Sequence, residues 1–187
     1  MRNVKFAAMA ALSLITLASC SNDDDSGPVN EEEVITTVTA TFTPEAGGNA
    51  VILTSRDLDG DGPDAPVVTV SGNFSVGSVY DGTVTFLNEM ESPAEDITTE
   101  IHEEAVDHQI FFQQNGLGNF VYDDTDANGH PVGLHFTYTA AQNPVSSNLI
   151  ITLRHLPNKS GQGVPGGDIT NAGGGTDAEV IFPVTVE

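Results

Sequence analysis

The chain predicts a mainly β protein, an antiparallel β-sandwich of immunoglobulin-like or jelly-roll-like type with one short helix. Two observations carry that prediction. Apolar and polar residues alternate with period two in a series of short stretches rich in Val, Ile, Thr, Phe and Tyr, the residues that fit a pleated, half-buried surface. Between those stretches lie Gly-, Asn-, Asp- and Pro-rich segments, the chemistry of tight turns.

Taken in order, the alternation begins at Val34. Val34, Thr36, Val38, Ala40 and Phe42 fall on one face of a first strand, and Ile35, Thr37, Thr39, Thr41 and Thr43 on the other. The turn at 44–49 leads into a second strand over 50–55, which makes a hairpin. Further strands are expected at 66–71, around Phe74 to Val76, and at 83–88 after a turn at Asp81-Gly82. Ser92-Pro93-Ala94-Glu95 has the form of a capping box with proline at the first helical position, so a helix is expected from Pro93 to about His108, with Ile97, Ile101, Ala105 and Phe112 as its apolar stripe. Strands resume at 109–113, 119–122, 133–139, 148–155 and 178–186. Pro183 has no N–H to give to a ladder and places the last of these at an edge or a bulge. The segment 158–177 is so rich in glycine that it is expected to be a long, unpacked loop.

Ahead of the sandwich, Arg2 and Lys5 precede an apolar run from Phe6 to Leu17, too short to span a bilayer at about 20 residues. The run ends in Leu17-Ala18-Ser19-Cys20, the pattern of a lipoprotein signal. The expected organisation is a signal peptide at 1–19, an acidic tether at 20–33 and a β-sandwich domain at 34–187, with Cys20 as the lipidation site. The membrane is then a partner through the lipid anchor, and several acyl chains hold far better than one, at about 0.8 kcal/mol per buried CH2.

Removing the signal leaves three basic residues, Arg56, Arg154 and Lys159, against 27 acids. Such a surface repels phosphate backbones, which excludes nucleic acid as a partner, and it draws in cations as counter-charge. Cys20 is the only cysteine, so stiffening must come from packing or from metal, not from a disulfide.

Two stretches resemble calcium loops. Asp57-Leu58-Asp59-Gly60-Asp61-Gly62 fits D-x-D-x-D-G, in which alternate side-chain oxygens converge where glycine allows a sharp turn. Loop position twelve is Val68 and not glutamate, so the expectation is a strand-flanked calcium site on Asp57, Asp59 and Asp61, completed by the Pro63 carbonyl and Asp64, against the alternative of a plain Asp-Gly turn. Asp124-Thr125-Asp126-Ala127-Asn128-Gly129 is a second match, with Asp124, Asp126 and Asn128 as ligands and an Asn-Gly hairpin as the alternative. A transition metal is a further candidate cofactor. Glu104 and His108 sit four residues apart beside an acidic stripe of Glu100, Glu103, Glu104 and Asp107, and a further donor must come from His102, His130, His135 or His155. The alternative is a solvated acidic helix face. Arg154 is expected to pair with a carboxylate across the sheet. No Gly-x-Ser-x-Gly, paired-His zinc motif or phosphate loop is present, and the chain is expected not to be an enzyme.

Cys20-Ser21 followed by Asp23-Asp24-Asp25 resembles the acidic export tag of Bacteroidota lipoproteins, which implies an outer-membrane protein displayed on the cell surface. Arg56 to Gly62, Asp123 to Leu134, Arg154 to Lys159 and Gly167 to Gly174 are similar to a family of small Bacteroidota lipoproteins sometimes labelled as a type 1 periplasmic binding fold. That resemblance implies solute capture, whereas the single helix favours a sandwich over that fold. The resulting expectation is an outer-membrane, surface-exposed lipoprotein that binds cations and captures a solute for a neighbouring outer-membrane transporter. The alternative is a calcium-stabilised adhesion or structural module without a small ligand.

Overall fold

The computed structural model describes residues 33–60 and 62–187, so the signal, Cys20, most of the tether and Asp61 lie outside the described residues. The strands are β1 (Thr37–Pro44), β2 (Val51–Arg56), β3 (Val67–Val70), β4 (Val79–Asn88) and the two-residue β5 (Glu95–Asp96). After helix α1 (Ile97–Glu103) come β6 (His108–Gln114), β7 (Gly118–Tyr122), β8 (His135–Ala140), β9 (Val145–His155) and β10 (Gly175–Val186). They form two antiparallel sheets, one ordered β3-β2-β1-β4-β8-β7 with β5 added against β4, the other ordered β10-β9-β6. The fold is therefore the mainly β, antiparallel sandwich that the alternation predicts.

Period two decides what is buried. In β4, Tyr80, Val84 and Phe86 point inward while Asp81 and Thr85 face water. Gly82 falls on the inward side because the Phe136 ring lies over it, and a Cβ there would stand 2.1 Å from a ring carbon. Residues of both sheets share one core, with Phe42 meeting Phe74, Phe136 and Tyr138 edge-on at centroid distances of 4.8, 5.4 and 5.5 Å. Each such pair adds about 0.5–1.5 kcal/mol beyond its buried area.

Several local expectations are corrected. The first strand starts at Thr37 rather than Val34, which leaves Glu33 to Thr36 as an irregular lead-in. Asp81-Gly82 lies inside β4 and does not turn. The stretch around Phe74 contributes only an isolated parallel bridge to Val186. The helix is shorter than expected at both ends. Its cap is Asp96, whose carboxylate accepts from the Thr98 N–H and the Thr99 hydroxyl at 3.1 Å each, because residues 95 and 96 are held against β4. It stops at Glu103, where carboxylates gather against the negative end of the helix dipole. Ile97 and Ile101 are buried on it as expected, but Phe112 belongs to β6.

The glycine-rich segment also packs. It forms two 3-10 turns, Val164–Gly166 and Ile169–Asn171, and buries Val164 and Ala172 against Phe111 in a second small core. This covers the outer side of β6, where Gln109 donates to the Val164 carbonyl at 2.9 Å. Pro183 lies on β10, whose only strand neighbour in its sheet is β9, so it is an edge strand as expected. Arg154 donates to the Gly174 carbonyl at 3.5 Å in place of the expected carboxylate. Among the described residues, no helix is long and apolar enough to cross a membrane.

Candidate metal centre

The inner face of the smaller sheet ends in two histidines. On β6 the inward series runs Phe112, Ile110, His108, and on β9 it runs Leu149, Ile151, Leu153, His155. Antiparallel register sets His108 directly opposite His155, so their side chains share a face and the rings stack at 4.7 Å and 19°.

The third strand supplies an acid through an irregularity. Between Thr176 and Ala178 the β10–β9 register shifts, and Asp177 is the extra residue. A bulge of this kind re-aims a side chain. The Asp177 carboxylate, 3% exposed, stands 3.7 Å from His108 Nε2 and 3.9 Å from His155 Nδ1. The backbone is fitted closely around the same point. Gly174 has φ +74°, and a Cβ on it would lie 2.2 Å from the His155 carbonyl oxygen. Leu156, a non-glycine residue at φ 51°, turns the chain out of β9 while its N–H bonds the Asp107 carbonyl at 2.6 Å.

Glu33 arrives from the lead-in to β1. Its Oε1 is 3.4 Å from His108 Nε2, and its side chain is 10% exposed. Burial, and then the carboxylates of Asp177, Glu100 and Glu104, push the Glu33 carboxyl up to about 7.

His108 is fully buried, and its two nitrogens have separate fates. Nδ1 lies 3.1 Å from the Glu104 carbonyl oxygen, which can only accept, so Nδ1 carries the proton. Burial holds His108 below its ordinary pKa, opposed by that hydrogen bond. In the neutral ring, Nε2 therefore offers a lone pair toward two carboxylates. His108 Nε2, Glu33 Oε2 and His155 Nδ1 are buried atoms with no hydrogen-bond partner. Lone pairs facing one another in a dry site repel unless a cation or a proton lies between them.

Among the described residues, two overlapping groups bring ligand atoms within 4.8 Å of one another, His108/His155/Asp177 and Glu33/Glu104/His108. Glu104 and His108, the pair expected from spacing, are thus brought together, with His108 on a strand and not on the helix. His155, one of the four histidines proposed to complete such a site, is present. His102, His130 and His135 belong to neither group. Glu33 and Asp177 were not foreseen.

In the second candidate calcium loop the carboxylates are engaged by the protein itself. Asp124 accepts from the Gly133 and His135 N–H groups at 2.7 and 3.0 Å, and Asp126 Oδ1 accepts from Asn128 and His130 at 2.8 and 2.9 Å. Asp126 Oδ2 meets the Lys159 ammonium at 2.9 Å, which also reaches the Pro131 and Ala105 carbonyls. Burial alone would raise the Asp126 carboxyl, but Lys159 and the two amides outweigh it and hold it below the ordinary range. Lys159 is the cation of this loop, and Asp124, Asp126 and Asn128 serve the hairpin. In the first loop, Asp59 accepts from the Asp64 N–H at 3.2 Å. Asp57, Asp59 and Asp64 do not form a ligand group among the described residues, and Asp61 lies outside them.

No family model, curated protein or solved structure matches the chain.

Proposed function

We propose that this protein is a lipoprotein, anchored to the outer membrane through Cys20, whose β-sandwich captures a divalent cation at Glu33, His108, His155 and Asp177. It is a binding module and not an enzyme. The observation that carries the reading is the buried meeting of two imidazoles and two carboxylates in which the His108 Nε2 lone pair, the His155 Nδ1 atom and one Glu33 oxygen make no hydrogen bond. The acidic surface raises the local concentration of cations, and the export signal puts the domain where such ions are met from outside. Handing the ion to a neighbouring outer-membrane transporter would complete that role.

The test is elemental analysis of the mature protein purified from membranes without chelator, joined to its melting temperature with and without chelator. A stoichiometric metal, and a melting temperature that falls when it is removed, are expected. An ion bound only by the folded state stabilises that state by about 2.7 kcal/mol at a hundredfold excess over its Kd. A metal-free protein whose melting temperature ignores both chelator and added divalent ions refutes the reading.

A further inference from the structure

Resting on that reading of the site, we propose that the ion is a borderline transition metal of the zinc class, held in a closed shell by His108 Nε2, His155 Nδ1, Asp177 and Glu33, and that the centre sequesters it without leaving a position for substrate.

The donor set selects the class. Calcium takes six to eight oxygens, and imidazole nitrogen is a poor ligand for it, whereas two imidazoles and two carboxylates are ordinary ligands for zinc. The spacing agrees. Four donors at about 2.0–2.2 Å from a tetrahedral ion stand roughly 3.3–3.6 Å apart. Glu33 to His108, His108 to Asp177 and Asp177 to His155 stand 3.4, 3.7 and 3.9 Å apart, near that spacing, and Glu33, which joins the group His108/His155/Asp177 only through His108, must move inward as the ion loads.

The surroundings are those of a ligand sphere. The bond from His108 Nδ1 to the Glu104 carbonyl fixes the tautomer that leaves Nε2 free to ligate, the usual outer support of a metal-bound histidine. The stack of the two rings defines one movement. A ligated ion lies in the plane of each imidazole, and two rings inclined by only 19° at 4.7 Å cannot both meet that condition. Loading therefore turns one ring. His155, 15% exposed against 0% for His108, is the one with room to turn.

Burial decides between holding and catalysis. A catalytic zinc keeps three protein ligands and an open fourth position, but here Glu33 stands beside the group His108/His155/Asp177 as a fourth donor, and none of the four side chains is more than 15% exposed. The donors come from all three strands of the smaller sheet and from the lead-in to β1 of the larger one, so the ion ties the two sheets together. In a chain whose only cysteine is the proposed lipid anchor, it does the work of a cross-link.

The experiment uses the mature protein stripped with chelator and titrated with Co2+ as a spectroscopic probe, then with Zn2+ and Ca2+. One equivalent of cobalt should give visible ligand-field bands of four-coordinate intensity, displaced by zinc and untouched by millimolar calcium. Glu33→Gln, which keeps the side chain's volume, and His155→Ala should each weaken zinc at least about tenfold, since even outer-shell partners cost that much. Asp59→Asn should leave the affinity unchanged, and circular dichroism confirms that each variant is folded. If calcium displaces cobalt, or if folded Glu33→Gln and His155→Ala bind zinc like the wild type, this assignment is wrong while cation capture stands. Weak six-coordinate cobalt bands would overturn the closed shell. If no divalent ion binds, the underlying reading fails as well.

Discussion

Lys159→Met is the sharpest probe of how this acidic chain places its few cations. The Lys159 side chain is 6% exposed and that of Asp126 is 0% exposed. The ammonium serves Asp126 at 2.9 Å and the Pro131 carbonyl at 3.1 Å, and joins the β7–β8 hairpin to the turn after α1 through Ala105. Methionine keeps most of the aliphatic stem, so the lost packing is small. What remains is a buried carboxylate with two backbone N–H donors and no counter-ion. Breaking a buried pair from one side costs about 3–5 kcal/mol, a large part of the roughly 5–15 kcal/mol that holds a domain together. For a chain of this size, that lowers the melting temperature by roughly 6–20 °C. Urea unfolding at pH 7, followed by tyrosine fluorescence because the chain has no tryptophan, reads the loss. Adding Asp126→Asn removes the stranded charge and keeps an acceptor for the amides, so the double variant should recover most of it. A single variant within about 1 kcal/mol of wild type would mean that the pair behaves like an exposed one and that the reasoning is wrong.

Metabolic labelling with a palmitate analogue should mark the wild-type protein, and Cys20→Ser should abolish the mark; label retained in that variant would remove the anchor from the proposal. Gly174→Ala should destabilise the metal-free domain by more than about 1 kcal/mol and weaken zinc, because its Cβ would meet the His155 carbonyl at 2.2 Å from a φ of +74°; a neutral result in urea unfolding would refute the close fit. The Glu33 carboxyl, near 7 in the fold against an ordinary 4.5, is neutral at no cost below pH 4.5, and that contribution is lost as pH rises through 7. In chelator, Glu33→Gln should therefore match wild type near pH 4.5 and exceed it by roughly 1–3 kcal/mol at pH 8, with the order reversed in zinc. Equal stabilities at both pH values would show that Glu33 is not held among carboxylates.

The strands were legible because burial on one face writes a period of two directly into the chain, and the register of β4, with Tyr80, Val84 and Phe86 inward, follows it. The failures lie where a tertiary partner overrides a local signal. Ser92-Pro93-Ala94-Glu95 has the residues of a helix start, but Glu95 and Asp96 are claimed by the edge of β4, so the cap moves to Asp96. Glycines at 161–175 suggested an unpacked loop, yet Phe111 on the outer face of β6 needed a cover, and Val164 and Ala172 supply it.

The candidate centre was half legible, for a related reason. Spacing along the chain brought Glu104 and His108 together, as any turn-sized interval does. His155 reaches His108 only through the β6–β9 register, Asp177 only through a bulge, and Glu33 only through the path of the chain into β1. In the loop at 124–129 the acidic pattern gathers a cationic side chain, Lys159, brought from elsewhere in the chain. With Lys159 bound there and Arg56 paired to Glu89, two of the three basic side chains among the described residues are committed away from the histidine cluster. The charged groups that act on Glu33 are all carboxylates, and the nearest nitrogen base, His108, is held toward its neutral form. The proposed metal ion would bring positive charge to that point of the fold.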